Sequence, residues 1–426
     1  MKKKRHHPAF PHWIVALSLI CIAPLQVAAD VDADSLRPSR ISYGVEVNEG
    51  YHFPRYKNKK PIPSNRFMTY YGAHMEYRSL ESDSNRYDMA YGLPALEVGV
   101  LFGHFNHIHL NSHMPDVDYR SRLGNQYTLY YGIRRDLLKH RRLKMSYTIS
   151  NGISINSHPY DSGHNVDNEF IGSRLSIFFG TELFGEWQMT DTWAWGLNVG
   201  FRHYSNSAMD RPNKGTNTLH FGAHVNYSPT PVRYKPYKVH YQVSKIKPDF
   251  YLDISAGWEG KALLEEWYRN LHHRTPDDPA FRSGTFEIRT MCNAQVAAMF
   301  RYNLKYASGL GIDYGFCTYT NAISEAERAM GIKGHTPKPH ILGVSLRHEI
   351  FYKQFSLALS VGGYPYRHMG HTNSQIFYET VGVRYYPKFL PRCYFSYNVK
   401  AHGARADGLQ FNLGYQIMKS KTIKTD

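Results

Sequence analysis

Apolar and polar residues alternate along many short stretches of this chain. Bulky apolar residues occupy every second position from 195 to 201, with small or polar residues between them, and the stretches 218–227 and 409–417 repeat the pattern. Successive side chains of a β-strand point to opposite faces. The alternation therefore predicts strands with one apolar face and one polar face.

About sixteen such stretches occur. They begin near residues 42, 68, 94, 124, 144, 173, 192, 216, 249, 291, 309, 340, 354, 376, 392 and 409. Tight connections follow the sixth, tenth, twelfth and fourteenth stretches, whereas long ones follow the third, fifth, seventh, ninth, eleventh and thirteenth. Short turns at one end and long loops at the other are typical of a transmembrane β-barrel with both termini inside.

The predicted fold class is all-β, a transmembrane antiparallel β-barrel of about sixteen strands. The long basic connection at 228–248 departs from the alternation of short and long loops, so the alternative is a smaller barrel followed by a second β region. The expected division is a signal peptide at 1–29, a first half at 30–227, the connection at 228–248, a second half at 249–418 and a polar tail at 419–426. A short helix is expected at 324–332 in an outer loop.

The first residues have the pattern of a secretory signal. Basic residues at 2–5 precede an apolar stretch at 13–23, and Val27-Ala28-Ala29 is a suitable cleavage site. The apolar stretch is too short for a membrane anchor and ends at Pro24. The sequence therefore predicts an exported protein, located in the bacterial outer membrane.

Composition adds to this prediction. The mean hydropathy of −0.50 is typical of a soluble protein, but the 34 Tyr and 22 Phe are typical of the aromatic girdles of a membrane barrel. Loss of the four basic residues at 2–5 would reduce the net charge from +16 to +12. A positive surface suits an anionic membrane, and nucleic-acid binding is not expected of an exported barrel.

Four cysteines are present, one of them within the predicted signal. The three that remain, Cys292, Cys317 and Cys393, are expected to be free and buried thiols. A disulfide between Cys292 and Cys317 across neighbouring strands is the alternative.

One strand carries candidate chemistry at its end. His203 and Ser205 continue the face of the strand that is apolar as far as Phe201, and this face is expected to point toward lipid at the outer surface. Polar groups are costly there, so their presence indicates a lipid substrate. The imidazole can take the proton of the serine hydroxyl and activate it as a nucleophile. Asn206 is the candidate oxyanion donor, through its backbone N–H or its side-chain amide.

These residues resemble a known family, the PagL-type outer-membrane lipid A deacylases. The resemblance rests on His203-Tyr204-Ser205-Asn206 and on the following Pro212-Asn213-x-Gly215. It is specific over about 192–228 and looser over 40–191, and 399–415 resembles the closing strands of longer acyloxyacyl hydrolases. It implies a barrel esterase that removes an ester-linked acyl chain from the lipid A part of lipopolysaccharide, with outer-membrane lipids as its surroundings and no cofactor.

The third catalytic position departs from the family. The resemblance implies a glutamate on the next strand, and the matching residue here is Asn217. An amide oxygen can orient the imidazole but adds no negative charge. Asp210 is the alternative partner of the histidine, and a barrel with an inactive site is a further alternative.

Other polar clusters are candidate metal or phosphate sites. The histidines of the stretch 104–113 (His104, His107, His109 and His113) are possible ligands for a transition metal, and the stretch 161–169 offers oxygen ligands for Ca²⁺. Both spacings are more typical of ordinary polar loops, and no metal is predicted. The basic stretch at 55–60 is a candidate phosphate site on the outer side, and the stretch at 134–144 is expected to be a solvated inner turn.

A channel is the competing function. A sixteen-strand barrel has a water-filled interior. The residues expected to face it include Arg202, Asp313, Arg347, Glu349 and Lys400. A channel does not require a histidine and a serine on its lipid face, which is why the esterase is preferred.

Overall fold

The protein is described here from a computed structural model. The described residues are 40–53, 62, 63, 65–111, 118–230, 232, 234, 241–272, 286–370 and 375–418. The predicted signal peptide, the basic stretch at 55–60, His113 and the polar tail at 419–426 lie outside these residues, as does much of the connection at 228–248.

The described residues are mainly β-strands. The strands up to residue 227 are β1 (Ile41–His52), β2 (Ile62–Pro63), β3 (Phe67–Arg78), β4 (Ala95–His104), β5 (His109–Asn111), β6 (Ser121–Arg122), β7 (Gln126–His140), β8 (Leu143–Asn156), β9 (Leu175–Gln188), β10 (Trp193–Ser205) and β11 (Thr216–Tyr227). The later strands are β12 (Asp249–Ala262), β13 (Ile288–Arg301), β14 (Tyr306–Cys317), β15 (His340–Tyr352), β16 (Phe355–Arg367), β17 (Phe377–Tyr385), β18 (Cys393–His402) and β19 (Arg405–Met418). The helices are α1 (Arg86–Ala90), α2 (Tyr241–Ser244), α3 (Leu264–His272) and α4 (Thr320–Ala329), with a 3₁₀ turn at Glu81–Asp83.

The strands close into two antiparallel barrels of eight. In the first barrel β11 pairs with β1, and in the second β12 pairs with β19. The short strands β2, β5 and β6 form a separate small sheet. The all-β class and the total of about sixteen barrel strands are confirmed. The preference for one large barrel was wrong, and the alternative with two β regions is the arrangement found, because β11 and β12 each pair within their own half.

Both barrels have an apolar outside and a polar inside. In β1, Val45 and Val47 are exposed, whereas Glu46 and Asn48 between them are buried. The interior of an eight-strand barrel is just wide enough to be filled by side chains. The polar residues of the alternating pattern therefore pack against one another inside the barrel.

Ion pairs fill the first barrel. The Arg134 guanidinium lies 2.7 Å from Glu76 and 2.9 Å from Glu97. Lys144, also buried, lies 2.7 Å from Glu186. The expectation that the stretch 134–144 is a solvated inner turn was therefore wrong at both of its ends, since these two cations face the interior and are neutralised there.

A second set of charged residues fills the second barrel. Arg384 binds Asp253 and lies 3.2 Å from Glu349. Nearer the outer end, Lys261 Nζ lies 2.9 Å from Asp407. Charges taken out of water are tolerated only when they are paired in this way.

The loops mostly follow the predicted alternation, but the long connection 79–94 lies at the short-turn end and the tight turn 403–404 lies at the long-loop end. The short connections 141–142, 189–192, 302–305 and 353–354 lie at one end, and the long connections 157–174, 206–215, 263–287 and 318–339 lie at the other. The predicted outer helix is confirmed as α4, which begins a turn earlier than expected. None of the described helices is long and apolar enough to cross a membrane.

The two barrels touch at several levels. At the inner end, the Tyr91 hydroxyl donates to the Phe351 carbonyl at 2.9 Å, and Lys353 lies 2.9 Å from Asp88. Midway, the Tyr397 hydroxyl of β18 donates to Asn151 of β8 at 2.7 Å. A third contact, at the outer end, involves the loop that follows β10.

The three cysteines of the described chain are free. On the paired strands β13 and β14, Cys292 lies opposite Phe316 while Cys317 lies opposite Met291. The two thiols therefore point to opposite faces of the sheet and cannot form the alternative disulfide. The free state is confirmed, but burial holds only for Cys317, since Cys292 is exposed and Cys393 is partly exposed.

Candidate functional site

Strand β10 brings His203 and Ser205 to the outer end of the first barrel. Trp195 on the same face is 45% exposed, whereas Arg202 on the opposite face is 1% exposed. His203 is half-buried and Ser205 is 9% exposed. Both residues continue the outward face of β10 just beyond the exposed apolar belt, as predicted, although Ser205 itself is buried there.

Strand β11 places Asn217 directly opposite His203 in the antiparallel ladder. The imidazole Nδ1 lies 2.9 Å from the amide oxygen of Asn217. An oxygen of this type accepts only, so Nδ1 carries the proton and Nε2 is left with its lone pair. The ring therefore has the tautomer that a general base needs.

Gly215 lies beside both His203 and Ser205. A methyl group at Gly215 would be 2.8 Å from His203 Cε1 and 3.5 Å from Ser205 Cβ. Gly215 also has a φ of +69°, a conformation that favours glycine. The two candidate catalytic side chains thus share one small space, although within the described residues no hydrogen bond joins them. Such bonds often tighten only when substrate is present.

Asn206 makes several bonds beside the serine. Its backbone N–H donates to the Asn213 side chain at 3.1 Å, and its amide nitrogen donates to Ser173 Oγ at 3.2 Å. An amide carries two N–H groups. The backbone N–H is thus engaged with Asn213, while the side-chain amide has one further hydrogen to donate.

Asp210 is not brought to the histidine. Its carboxylate accepts the N–H of Arg211 at 2.8 Å, and among the described residues it makes no contact with His203. Burial raises the pKa of Asp210 to about 6. Of the two candidate partners, the structure brings Asn217 to the imidazole and leaves Asp210 in the loop.

Two residues that the sequence did not single out hold Asn217 in place. The Asn217 carbonyl accepts the N–H of Phe53 at 3.0 Å and lies 3.0 Å from the His52 Nδ1. Both residues come from the end of β1, the strand next to β11. Only the closure of the barrel brings this end near residue 217, so no local sequence signal was available.

The other clusters do not form metal sites in the described chain. The rings of His104 and His107 are tilted toward each other with centres 4.9 Å apart, but the described histidines of this stretch do not form a three-ligand group. In the stretch 161–169, Asp167 Oδ2 accepts from the Ser121 hydroxyl and Asp161 Oδ1 accepts backbone N–H groups, so one oxygen of each carboxylate is engaged within the loops. Among the described residues, three potential ligands converge only at His74, Glu76 and Glu97, inside the first barrel. Arg134 already forms ion pairs with both carboxylates there.

Comparisons with known proteins identify two regions of the chain. Residues 118–226 match the family described as lipid A 3-O-deacylase (PagL), and residues 282–420 match the C-terminal domain of acyloxyacyl hydrolase. No curated protein matches the chain.

Solved barrels resemble the chain only weakly. An outer-membrane channel from Pseudomonas putida F1 is 9% identical, with a TM-score of 0.21 over 91% of this chain and 100% of that one. OccAB4 from Acinetobacter baumannii is 8% identical, with a TM-score of 0.24 over 90% of this chain and 99% of that one.

The first match covers the strand, loop and strand that carry His203, Ser205 and Asn217, and the second covers most of the second barrel. The chain belongs to the PagL-type family of outer-membrane lipid A deacylases.

Proposed function

We propose that the protein is an esterase that removes an ester-linked acyl chain from lipid A, with Ser205 as nucleophile and His203 as general base. The observation that carries this proposal is the 2.9 Å contact between His203 Nδ1 and the Asn217 amide oxygen, on the lipid-directed face of β10. It orients the imidazole with its Nε2 available for the serine.

The proposed reaction has two steps, acylation of Ser205 and hydrolysis of the acyl-enzyme. In the first, His203 Nε2 takes the proton of the Ser205 hydroxyl while Oγ attacks the ester carbonyl carbon. The bond to the sugar oxygen then breaks, and the proton passes from Nε2 to that oxygen. In the second step, water gives a proton to Nε2 and attacks the acyl-enzyme, and the proton returns to Ser205 as the fatty acid leaves.

Asn206 is the proposed donor to the oxyanion. It follows the nucleophile directly, and its amide group has one N–H beyond the one that binds Ser173. A donor fixed before the reaction stabilises the negative charge that develops on the carbonyl oxygen.

The location of the site suits a lipid substrate. Export through a signal cleaved after Ala29 and insertion into the outer membrane would put the long-loop end of the barrel at the leaflet that contains lipopolysaccharide. The exposed apolar side chains of Trp195, Leu197 and Val199 lie on the same face below the site. An acyl chain can lie along this face while its ester reaches Ser205.

Asn217 makes a slower enzyme than a glutamate would. In a serine protease, replacing the triad acid by its amide costs about four orders of magnitude in rate, through the wrong histidine tautomer. Here the amide oxygen faces Nδ1, so the tautomer is correct and only the stabilising negative charge is missing. Activity is therefore reduced but retained.

The filled interiors argue against a channel. Arg202 lies 2.7 Å from Glu46 and 2.6 Å from Glu182 within the first barrel. Arg347 pairs with Asp313 within the second. The charges expected to line one wide channel are divided between two packed interiors.

The test is mass spectrometry of lipid A from cells that express wild-type protein, the Ser205→Ala variant or no protein. We expect loss of one acyl chain with wild type only. The Ser205→Ala variant must still show the heat-modifiable migration of a folded barrel. Unchanged lipid A with folded wild-type protein would refute the proposed activity.

A further inference from the structure

The second barrel touches the loop that follows the candidate nucleophile. The Ala262 N–H, at the outer end of β12, donates to the Ala208 carbonyl at 2.8 Å. The Ala262 carbonyl accepts from Arg211 Nε at 2.9 Å. One residue of the second barrel thus uses both of its backbone groups to bind the loop 206–215 of the first.

Arg211 is buried in surroundings that belong to the second barrel. Its side chain is 4% exposed, and the charged and phenolic groups that act on it are Asp407, Arg405, Glu265 and Tyr268. Burial lowers the pKa of the Arg211 guanidinium. A buried arginine that crosses from one barrel to the mouth of the other makes a specific contact, because its charge and its hydrogen bonds must be satisfied there.

The loop segment next to Ser205 needs outside support. Asn206 accepts the N–H of Met209 at 3.0 Å, and between them Ser207 and Ala208 have φ values of 52° and 66°. Two successive positive φ angles define a type I′ turn, which favours Gly, Asn or Asp at both positions. Serine and alanine adopt this turn only where the surrounding structure holds it.

We propose that Arg211 and Ala262 form a clamp through which the second barrel holds this turn against the active site, which makes Arg211 a positioning residue for the deacylation. The clamp fixes Ala208, and the turn that contains Ala208 holds Asn206 beside Ser205. This inference rests on the proposed function for its effect on rate, but the contact itself does not.

A general joining role is the competing explanation. The barrels are also linked midway by Tyr397 and Asn151, at 2.7 Å, far along the strands from the outer loops. If the outer contact only joins the barrels, loss of either link would have a similar effect. The Tyr397→Phe variant is therefore the matched control, since it removes the interbarrel hydrogen bonding of this hydroxyl and keeps the ring.

The experiment measures kcat and KM for acyl release by full-length variants in lipid A vesicles. We expect Arg211→Met to lower kcat at least tenfold with KM within about twofold, Arg211→Lys to retain at least a third of kcat, and Tyr397→Phe to match wild type. Adding Ala208→Gly to Arg211→Met is expected to recover several-fold of the loss, because glycine adopts the turn unaided. Equal losses in Arg211→Met and Tyr397→Phe, or no gain from Ala208→Gly, would overturn the clamp.

Hydrogen–deuterium exchange tests the clamp without any activity. The N–H groups of Met209 and Ala262 are expected to exchange at least tenfold faster in Arg211→Met than in wild type or Tyr397→Phe. If wild-type protein releases no acyl chain but this difference is found, the proposed function fails while the clamp stands. Unchanged exchange in Arg211→Met refutes the clamp whatever the activity.

Discussion

Each barrel has a histidine near the end of its seventh strand, but the two histidines point to opposite faces. In both, the seventh strand runs outward and ends near a histidine, His203 in β10 and His402 in β18. His203 lies on the outward face, whereas His402 points inward, is 4% exposed and lies 2.9 Å from the Tyr364 hydroxyl. A shift of one residue along a strand moves a side chain from the lipid face to the interior.

The connection after the seventh strand also differs. In the first barrel, residues 206–215 form a loop that places Gly215 beside His203 and leads to Asn217 opposite it. In the second, residues 403 and 404 form a tight turn that places Arg405 opposite His402. The proposed lipid-side chemistry uses both the outward face and the longer loop, and of the two seventh strands only β10 has the two together.

The largest expected effect comes from replacing the proposed nucleophile or the proposed general base of the first barrel. Ser205→Ala and His203→Gln should each reduce acyl release by about three orders of magnitude or more, since members of such a unit act together. His402→Gln is the matched control and should leave the rate within about twofold. Single-turnover release of fatty acid checks all three, and similar losses in the His203 and His402 variants would contradict the assignment of the site to the first barrel.

The next largest effect on the rate of acyl release is expected from the residues that lie opposite the two histidines. Asn217→Ala should lower the rate at least tenfold, roughly the value of one lost orienting contact in a catalytic site. Asn217→Glu should raise it by roughly one to three orders of magnitude, because a negative charge stabilises the imidazolium. Arg405→Ala, opposite His402, should change acyl release far less than Asn217→Ala does. The same assay decides, and equal rates for wild type and both Asn217 variants would show that Asn217 does not orient the imidazole.

Substitutions of two outer-loop glycines distinguish the effect of backbone strain on stability from an effect on the rate of acyl release. Gly215 and Gly403 both have positive φ, so replacing either by alanine should destabilise its barrel by about 1 kcal/mol. Only the methyl group at position 215 would also meet His203, at 2.8 Å from Cε1. We expect Gly215→Ala to lose ten- to a hundredfold in the rate of acyl release and Gly403→Ala to remain active. The thermal unfolding midpoints of the two variants, followed by gel migration, should shift by similar amounts. Equal activity of the two variants would show that Gly215 has only a backbone role.

The smallest expected effect is in Asp210, within the loop that the second barrel lacks. Because its pKa is raised to about 6 in the folded protein, folding favours the protonated form. The folded protein therefore loses stability as the pH rises from about 4 through about 6, because the ionised carboxylate is disfavoured where it is buried. Asp210→Asn should add no more than about 1 kcal/mol at pH 7, after allowance for solvent screening, and nothing at pH 4.

Thermal midpoints at the two pH values measure this difference. Acyl release by Asp210→Asn should stay within twofold of wild type. A loss of an order of magnitude would instead make Asp210 the partner of His203.

Much of the fold could be predicted from local sequence. The alternation located the barrel strands within a few residues of their observed starts, and it assigned His203 to the outward face correctly. The alternating loop lengths predicted which end carries the long loops. These features succeed because a strand buries every second side chain whatever it is paired with.

Part of the candidate site was also visible in the sequence. His203, Ser205 and Asn217 were found from spacing, face and resemblance, and the histidine and the asparagine face each other across the ladder. The support around them was not visible. His52 lies 165 residues from Asn217 and Ala262 lies 51 residues from Arg211, and such contacts depend on which strands become neighbours.

The sequence by itself determined the all-β class, the number of barrel strands and the face on which the candidate site lies, because each follows from the two-residue period of a strand. Only the tertiary structure decided that β11 returns to β1 and β12 to β19, since the pattern of faces is the same for one barrel as for two. The pairing of β10 with β11 decided that Asn217, and not Asp210, lies against the imidazole, and the contact between the barrels decided that Arg211 reaches Ala262. Pairing between distant strands is a property of the whole chain, and no local period encodes it.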